Sequence, residues 1–285
     1  MWPKPDDPAT VHRMRTAHNH ARRTLHTHPD PEAHEAWGWH GRTLGAPVTT
    51  DHGRRWLRVA ATPTGQLIDT FWNGAIDAHR AIPPAVPRPR LLHWHDWTDG
   101  TWAYRSELYE HATAGTIADH AGITTPPALT SGWWTTVRTA LATIATVTTT
   151  RMTVQPGFLA WAMPHYLGIP STDHPRRPWT TAHGDFHYAN LCAPDLQILD
   201  WEGWGLAPAG YDAATLHTYS LLAPDAAADI SHHLTDLLHT PAGRHAELVV
   251  ITELLHACEH GINTALAAPL HHRARALSAG TGASR

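Results

Sequence analysis

Lysine is nearly absent from this 285-residue chain, and cysteine is scarce. Of the 21 lysines and arginines, only Lys4 is a lysine. Cys192 and Cys258 are the two cysteines, and two thiols cannot build a disulfide framework. The sequence therefore predicts a protein of a reducing compartment, and we expect the cytoplasm.

The chain also lacks a strong excess of either charge. Its 25 acidic residues, set against the 21 basic ones, give a net charge of −4, and the two signs are interspersed. Nucleic-acid-binding domains usually carry a basic patch or stripe. Nucleic acid is therefore not expected as a partner.

No apolar run approaches the length of a membrane span. The most apolar stretches, Leu141–Val147 and Leu248–Leu255, are far shorter than the roughly 20 residues that a transmembrane helix needs. The N-terminal residues do not show the basic segment followed by an apolar run that marks a signal peptide. We expect no membrane partner.

Tryptophan and histidine, in contrast, are abundant. The 14 tryptophans and a hydrophobic fraction of 42% are ample for a packed core. The 26 histidines do not show the cysteine spacing or the His-Glu-x-x-His pattern typical of zinc sites, so no structural metal is predicted. A histidine-rich metal-binding protein stays open as an alternative.

The hydrophobic pattern predicts a helical segment at residues 1–34 and a mainly β lobe at residues 35–108. Apolar residues recur at helical spacing from Ala9 to Thr27, before Pro29 and Pro31. Alternating strands are expected after Gly41 and near residues 55–60 and 102–108, with a short helix at residues 71–79 between them.

After Glu110 the pattern becomes helical. We expect helices at residues 133–149, at 225–239 with Asp225 as the N-cap, and at 247–266. This second lobe spans residues 109–277, and a disordered tail is expected at 278–285. A β-rich first part and a helical second part, joined near residues 107–111, predict a two-lobed α+β fold with a cleft between the lobes.

One segment carries the residues that phosphoryl transfer requires. Asp185 is followed five residues later by Asn190, the offset of the catalytic aspartate and the metal-binding asparagine in protein-kinase loops. Asp200 follows the apolar run Leu196–Leu199 and is expected at the end of a strand, where it would be a second oxygen ligand for Mg²⁺. The pattern predicts a base and a metal site together.

The segment His183–Asn190 resembles the His-Gly-Asp-x-His-x-x-Asn loop of the aminoglycoside phosphotransferase and choline kinase family. The residues around Asp200 and the stretch Gly205–Leu216 are similar to the family motifs that follow. The resemblance implies a protein-kinase-like fold, ATP or GTP and Mg²⁺ as cofactors, and a small-molecule hydroxyl as acceptor. It also implies the residue roles: Asp185 as catalytic base, Asn190 and Asp200 as metal ligands, Asp212 as a brace of the loop, and His183 and His187 as supporting residues.

The first lobe departs from the pattern of such kinases. They use a lysine on the third strand to hold the nucleotide phosphates and a glutamate on the next helix as its partner. Arg58 is the natural replacement for the lysine, and its acidic partner is left open between Asp77 and Asp69. Arginine is longer and planar, so this exchange is not conservative.

Four further residues are expected near the nucleotide. Gly38 and Gly41 form a Gly-x-x-Gly turn that either covers phosphates or closes a plain hairpin. The segment that joins the lobes, with Glu107 and Tyr109, is expected to lie against the nucleotide base.

Two functions compete, besides the histidine-rich metal-binding protein left open above. The first is a phosphotransferase that acts on a small-molecule hydroxyl, such as that of an aminoglycoside antibiotic, a choline-like alcohol or a sugar. The second is a pseudokinase that binds nucleotide without turnover, because the lysine is missing. The acceptor pocket is expected to involve residues 151–180, including Met163, His165, Tyr166 and Trp179. The acceptor and the oligomeric state do not follow from the sequence.

Overall fold

The computed structural model describes residues 2–32, 34–170 and 178–279. The chain divides into two compact units: Met1–Arg80 with Arg88–Gly115, and Ala81–Pro87 with Thr116–Arg285. The first unit thus includes residues 109–115, which the sequence analysis placed in the second lobe, and the segment Ala81–Pro87 belongs to the second unit. None of the helices in the described ranges is both long enough and apolar enough to cross a bilayer.

The first unit is built on an antiparallel sheet, which contains six strands within the described residues. The strand order is β1-β3-β4-β6-β5, and β2 pairs with β3. The strands are β1 (His28–Pro29), β2 (Ala36–Trp37), β3 (Thr43–Thr50), β4 (Gly53–Pro63), β5 (Leu91–Thr98) and β6 (Trp102–Glu110).

Helix α1 (Pro8–Thr24) packs on this sheet and is not a separate segment. Asp7 caps its N-terminus by accepting hydrogen bonds from two backbone N–H groups. The helix ends earlier than predicted, because the Leu25 N–H closes the last turn and His26 adopts a positive φ of 50°. His18 lies on the buried face, where its Nε2 is 3.3 Å from the Leu57 carbonyl and burial lowers its pKa.

The short helix predicted at residues 71–79 is split in two. Helix α2 (Asp69–Trp72) and helix α3 (Gly74–Ala81) follow one another, with Asn73 between them. Arg105 of β6 holds this junction, because its Nη1 donates hydrogen bonds to the Trp72 carbonyl and to the Asn73 side chain.

The second unit is mainly helical. Its helices are α4 (Ser131–Ala145), α5 (Pro156–Leu167), α6 (Tyr211–Tyr219), α7 (Pro224–His233), α8 (Thr235–Leu238), α9 (Pro241–Glu259) and α10 (Ala267–Ala279). Strands β7 (Trp179–Ala182) and β8 (Gly205–Pro208) form a small antiparallel sheet.

Four details of the helical prediction were wrong. The helix predicted at residues 225–239 is two helices, and Asp225 lies in the first turn after Pro224 instead of forming the N-cap. The helix predicted to reach Leu266 stops at Glu259. Ser278, placed in the tail, is part of α10, and residues 280–285 of that tail lie outside the described residues.

A buried network of charged side chains links α9 to α6 and to α10. The Glu247 carboxylate is fully buried and accepts two hydrogen bonds from Arg273 of α10, at 2.7 and 2.8 Å. His217 of α6 lies 2.8 Å from the same carboxylate. Because a buried carboxylate needs such partners, the network fixes how α6 and α10 pack on α9.

Candidate active site

The loop at residues 183–190 starts directly after β7 and is anchored by two buried aromatic residues. Phe186 and Tyr188 are 0% and 1% exposed, so they hold the loop on the core of the second unit. Gly184 has a φ of 92°, and a Cβ at this position would lie 2.9 Å from the Gly203 carbonyl oxygen. A side chain here would be strained and crowded, so the motif requires glycine between His183 and Asp185.

Asp212 holds the beginning of this loop from the first turn of α6. Its carboxylate accepts hydrogen bonds from the backbone N–H groups of His183 and Gly184, at 2.7 and 3.0 Å. Burial raises the pKa of Asp212 to about 6, although the two N–H donors favour the charged form. The contact lies where the resemblance implied a brace, and that role of Asp212 stays a prediction.

Asp185 projects a half-exposed carboxylate from the loop. Its Oδ1 lies 3.1 Å from Nε2 of His187, and its Oδ2 accepts a hydrogen bond of 2.9 Å from the Asn190 side-chain amide. The same amide nitrogen also donates to the Asp185 backbone carbonyl, at 2.9 Å. The five-residue offset thus brings the two side chains into contact, and the carboxylate stays reachable from outside.

The charge of this group follows from its surroundings. Partial desolvation raises the pKa of Asp185, but the attraction of His187 and the hydrogen bonds from His187 and Asn190 outweigh it, and the pKa lies below its usual value. For His187, desolvation lowers the pKa and Asp185 raises it, with a net increase. Asp185 is therefore a carboxylate near neutral pH, as a proton acceptor must be.

Asp200 lies beside Asn190 because the chain doubles back between them. The Leu199 N–H donates a 2.8 Å hydrogen bond to the Asn190 carbonyl, and Leu191 and Ile198 form an isolated bridge. The expectation that Asp200 ends a strand was wrong, since this pairing is too short to form one. Asp200 instead has a φ of 60°, a conformation that aspartate tolerates better than most residues.

His183 joins the two segments. The Asp185 N–H points to its Nδ1 at 3.3 Å, so the other ring nitrogen, Nε2, carries the proton and donates to the Leu199 carbonyl at 2.8 Å. Burial lowers the pKa of His183 to about 4, which keeps the ring neutral. The neutral His183 ring therefore forms hydrogen bonds through both nitrogens, and these bonds fix the position of the loop relative to the Asp200 segment.

The segment that carries Asp200 has its own anchors, which sequence reasoning missed. Arg151 donates to the carbonyls of Trp204 and Glu202, each at 3.1 Å, and the Thr153 hydroxyl donates to the Gly203 carbonyl at 2.8 Å. Nothing in the local sequence marks these contacts, because they join positions about 50 residues apart.

Arg58, Glu107 and Tyr109 come together in the first unit. Arg58 Nη1 lies 2.9 Å from the Glu107 carboxylate, which is 2% exposed and also accepts the Tyr109 hydroxyl at 2.9 Å. A partner of Arg58 is therefore a glutamate on the neighbouring strand, whereas the sequence pointed to Asp77 or Asp69. Arg58 and Glu107 are register partners in β4 and β6. That Glu107 and Tyr109 lie against the nucleotide base stays a prediction.

Gly38 and Gly41 lie in the connection between β2 and β3. These strands pair antiparallel, and the Gly38 N–H donates to the Thr43 carbonyl at 3.0 Å, so the turn closes a short hairpin. A Cβ on Gly41 would lie 2.5 Å from the Pro5 ring. The hairpin interpretation accounts for both glycines, and phosphate contact stays a prediction.

Not all of the residues expected to line the acceptor pocket, within residues 151–180, are placed to do so. Met163 is 1% exposed and belongs to the core, so it does not line a pocket. The Tyr166 hydroxyl contacts His256 and Glu259 of α9. Residues 171–177 of this region lie outside the described residues.

No protein-family model and no curated protein sequence matches the chain, but solved structures do. A thermostable mutant of aminoglycoside phosphotransferase APH(4)-Ia in its apo form aligns with a TM-score of 0.64 and 15% identity, over 94% of this chain and 100% of that one. The chain has the aminoglycoside phosphotransferase fold. The protein-kinase-like α+β fold that the motifs implied is thereby confirmed.

Two further structures share this aminoglycoside phosphotransferase fold. A ternary complex of a thermostable APH(4)-Ia mutant with AMP-PNP and hygromycin B has a TM-score of 0.64 at 14% identity, and the alignment covers 95% of this chain and 99% of that one. The microcompartment-associated aminopropanol kinase has a TM-score of 0.51 at 14% identity, with coverages of 91% and 94%.

Proposed function

We propose that this protein is a phosphotransferase that moves the γ-phosphate of ATP or GTP to a hydroxyl group of a small molecule, with Mg²⁺ as cofactor. The observation that carries the proposal is the arrangement around Asp185. A half-exposed carboxylate with a lowered pKa is held by Asn190 and His187 on a loop that Asp212 braces. The fold is that of enzymes whose known complexes include a nucleotide analogue and hygromycin B.

In this mechanism Asp185 orients the acceptor hydroxyl and takes its proton. The acceptor oxygen forms a bond to the γ-phosphorus, the bond from that phosphorus to the oxygen bridging to the β-phosphate breaks, and the nucleoside diphosphate leaves. Both oxygens of Asp185 already accept a hydrogen bond, and these contacts fix the direction of the carboxylate before the acceptor binds.

The residues near Asp185 fit a hard divalent cation. The Asn190 amide nitrogen donates both of its hydrogen bonds to Asp185, so the amide oxygen points away from Asp185. The Asn190 amide and the exposed Asp200 carboxylate both offer oxygen atoms, the ligand type that Mg²⁺ prefers. When bound, Mg²⁺ neutralises negative charge on the phosphates. Asn190 and Asp200 are the residues that would hold it.

A direct assay tests the proposal. Untagged protein is incubated with Mg²⁺ and either ATP or GTP and with a panel of aminoglycosides, amino alcohols and sugars, and phosphorylated acceptor is followed by ³¹P NMR and mass spectrometry. Acceptor-dependent formation of nucleoside diphosphate is the expected result. Absence of Mg-nucleotide binding in calorimetry contradicts both the phosphotransferase and any nucleotide-binding role.

A pseudokinase is the second candidate, because the chain has no lysine beyond Lys4. Arg58 takes the place of the kinase lysine, and its guanidinium differs from an ammonium in size, shape and hydration. Tight Mg-ATP binding without turnover of any acceptor would favour this candidate.

Arg58 is the residue that we propose as the phosphate contact of the first unit. Arg58→Ala is expected to weaken ATP binding about 10–150-fold, because a charge-assisted contact to phosphate is worth about 1.5–3 kcal/mol. Calorimetric titration with ATP measures the change. Arg58→Lys keeps the charge and should retain more affinity than the alanine variant, and a gain of activity in it would favour the pseudokinase.

Arg54→Ala is the matched control, since Arg54 is an exposed residue of the same strand that forms an ion pair with Asp30. Removing Arg58 also takes a partner from the buried Glu107, so the thermal unfolding midpoint of each variant is recorded. A folded Arg58→Ala variant that binds ATP as tightly as the unchanged protein would show that Arg58 does not contact phosphate.

A further inference from the structure

Three potential metal ligands converge at the C-terminal end of α9. His256, Glu259 and His260 each offer one ligand atom, and these atoms lie within 4.8 Å of one another. Their spacing of three and four residues places them on one side of the final helical turn. The order is His-x-x-Glu-His, the reverse of the His-Glu-x-x-His pattern considered in the sequence, and it keeps the two histidines four residues apart.

The hydrogen bonds around these rings determine which nitrogen can bind a cation. Nδ1 of His260 lies 2.8 Å from the His256 carbonyl, which only accepts, so this nitrogen carries the proton. The Tyr166 hydroxyl donates its hydrogen to Oε2 of Glu259, so Nδ1 of His256, at 2.9 Å from that hydroxyl, must be the donor to it. In both histidines Nε2 is left with its lone pair.

This arrangement matches the way proteins prepare histidines for metals. A ligating histidine almost always donates its other N–H to an oxygen, which fixes the tautomer and the ring orientation. Here a backbone carbonyl performs this role for His260 and the Tyr166 hydroxyl for His256. The hydrogen bond from Tyr166 occupies Oε2 of Glu259 and leaves Oε1 for a cation.

The surroundings also suit a cation. The two imidazole rings have centroids 4.4 Å apart, and His256 is flanked by Phe158 and Trp161 with ring centroids at 5.3 and 5.8 Å. Glu259 and His260 are exposed, so an ion can enter from solvent. The carboxyl end of α9 carries the negative end of the helix dipole, which favours positive charge at this place.

We propose that the end of α9 binds a divalent transition-metal ion of the zinc class through His256, His260 and Glu259. Two imidazole nitrogens with one carboxylate are a ligand set used for Zn²⁺, and water fills the remaining position. Imidazole ligands also separate this site from the one at Asn190 and Asp200, whose oxygen donors suit Mg²⁺. Tyr166 is a positioning residue that holds His256 and Glu259.

The test is calorimetric titration of untagged protein with Zn²⁺, together with the visible absorption spectrum of the protein loaded with Co²⁺. The unchanged protein is expected to bind one equivalent in a distinct tight phase. His260→Ala, which removes an exposed ligand, should abolish that phase. Tyr166→Phe should weaken it about 10–100-fold, the usual effect of losing a group that orients a metal ligand. The Co²⁺ spectrum should change in both variants.

The double variant His271→Ala, His272→Ala is the control. These two exposed histidines are adjacent on α10 and do not share the spacing of four residues, so the tight phase should persist in it. Absence of a one-equivalent phase in the unchanged protein overturns the proposal, as does an equal loss in the control. The titration needs no nucleotide, so its result tests the metal site independently of the phosphotransferase proposal.

Discussion

Replacing Asp185 with asparagine is expected to lower phosphotransferase turnover about 10²–10⁴-fold, the usual range for the loss of a positioned general base. Asparagine keeps the shape of the side chain and can still accept the hydrogen bond from His187, but it cannot take a proton from the acceptor. Mg-ATP binding should stay close to that of the unchanged protein, because the proposed cation ligands are other residues. Steady-state turnover and calorimetric titration with Mg-ATP measure the two effects.

Asp195→Asn is the matched control for this variant. Asp195 is an exposed carboxylate in the same turn of chain between Asn190 and Asp200, and its exchange removes the same charge. Turnover in the control should be near that of the unchanged protein. If Asp185→Asn lowers turnover no more than Asp195→Asn does, Asp185 is not the base.

Asp200→Asn is expected to weaken Mg²⁺-dependent ATP binding about 10–150-fold and to lower turnover as well. Loss of one charged contact costs about 1.5–3 kcal/mol, which corresponds to that range. The backbone should tolerate the change, because Asp200 has a φ of 60° and asparagine also adopts this region readily. The substitution therefore removes charge with little disturbance of the loop.

The measurement is calorimetric titration with ATP in the presence and absence of Mg²⁺. Without Mg²⁺ the Asp200→Asn variant and the unchanged protein should bind ATP alike, and with Mg²⁺ they should differ. The contrast with Asp185→Asn is the informative result, since one variant loses turnover alone and the other loses binding too. Equal, mild effects of both substitutions would contradict the proposed mechanism.

The residues around Asp185 could be predicted from the sequence because their relations are local. Asp185, His187 and Asn190 lie within six residues, and a loop of that length has few ways to place them. The order of the motifs also predicted the protein-kinase-like fold. Asp212 was placed by resemblance alone, since only the folded chain brings α6 against the loop, 28 residues away.

Strand β5 was not predicted, because its pattern of hydrophobic residues was too weak to indicate a strand. It lies at the edge of the sheet and has one neighbouring strand, β6, so its residues do not alternate cleanly between buried and exposed. Asp200 shows the opposite error, because the segment Leu196–Leu199 resembled a strand and proved to form one isolated β-bridge, between Leu191 and Ile198.

The sequence by itself determined the order of β-rich and helical parts and the catalytic-loop candidates, because helical periods, strand alternation and short motifs are properties of neighbouring residues. The tertiary structure alone decided that Arg58 pairs with Glu107, 49 residues away, and that the Tyr166 hydroxyl contacts His256 and Glu259 of α9. Such contacts depend on strand register and helix packing. Both are set by the burial of many side chains at once, so no short stretch of sequence contains them.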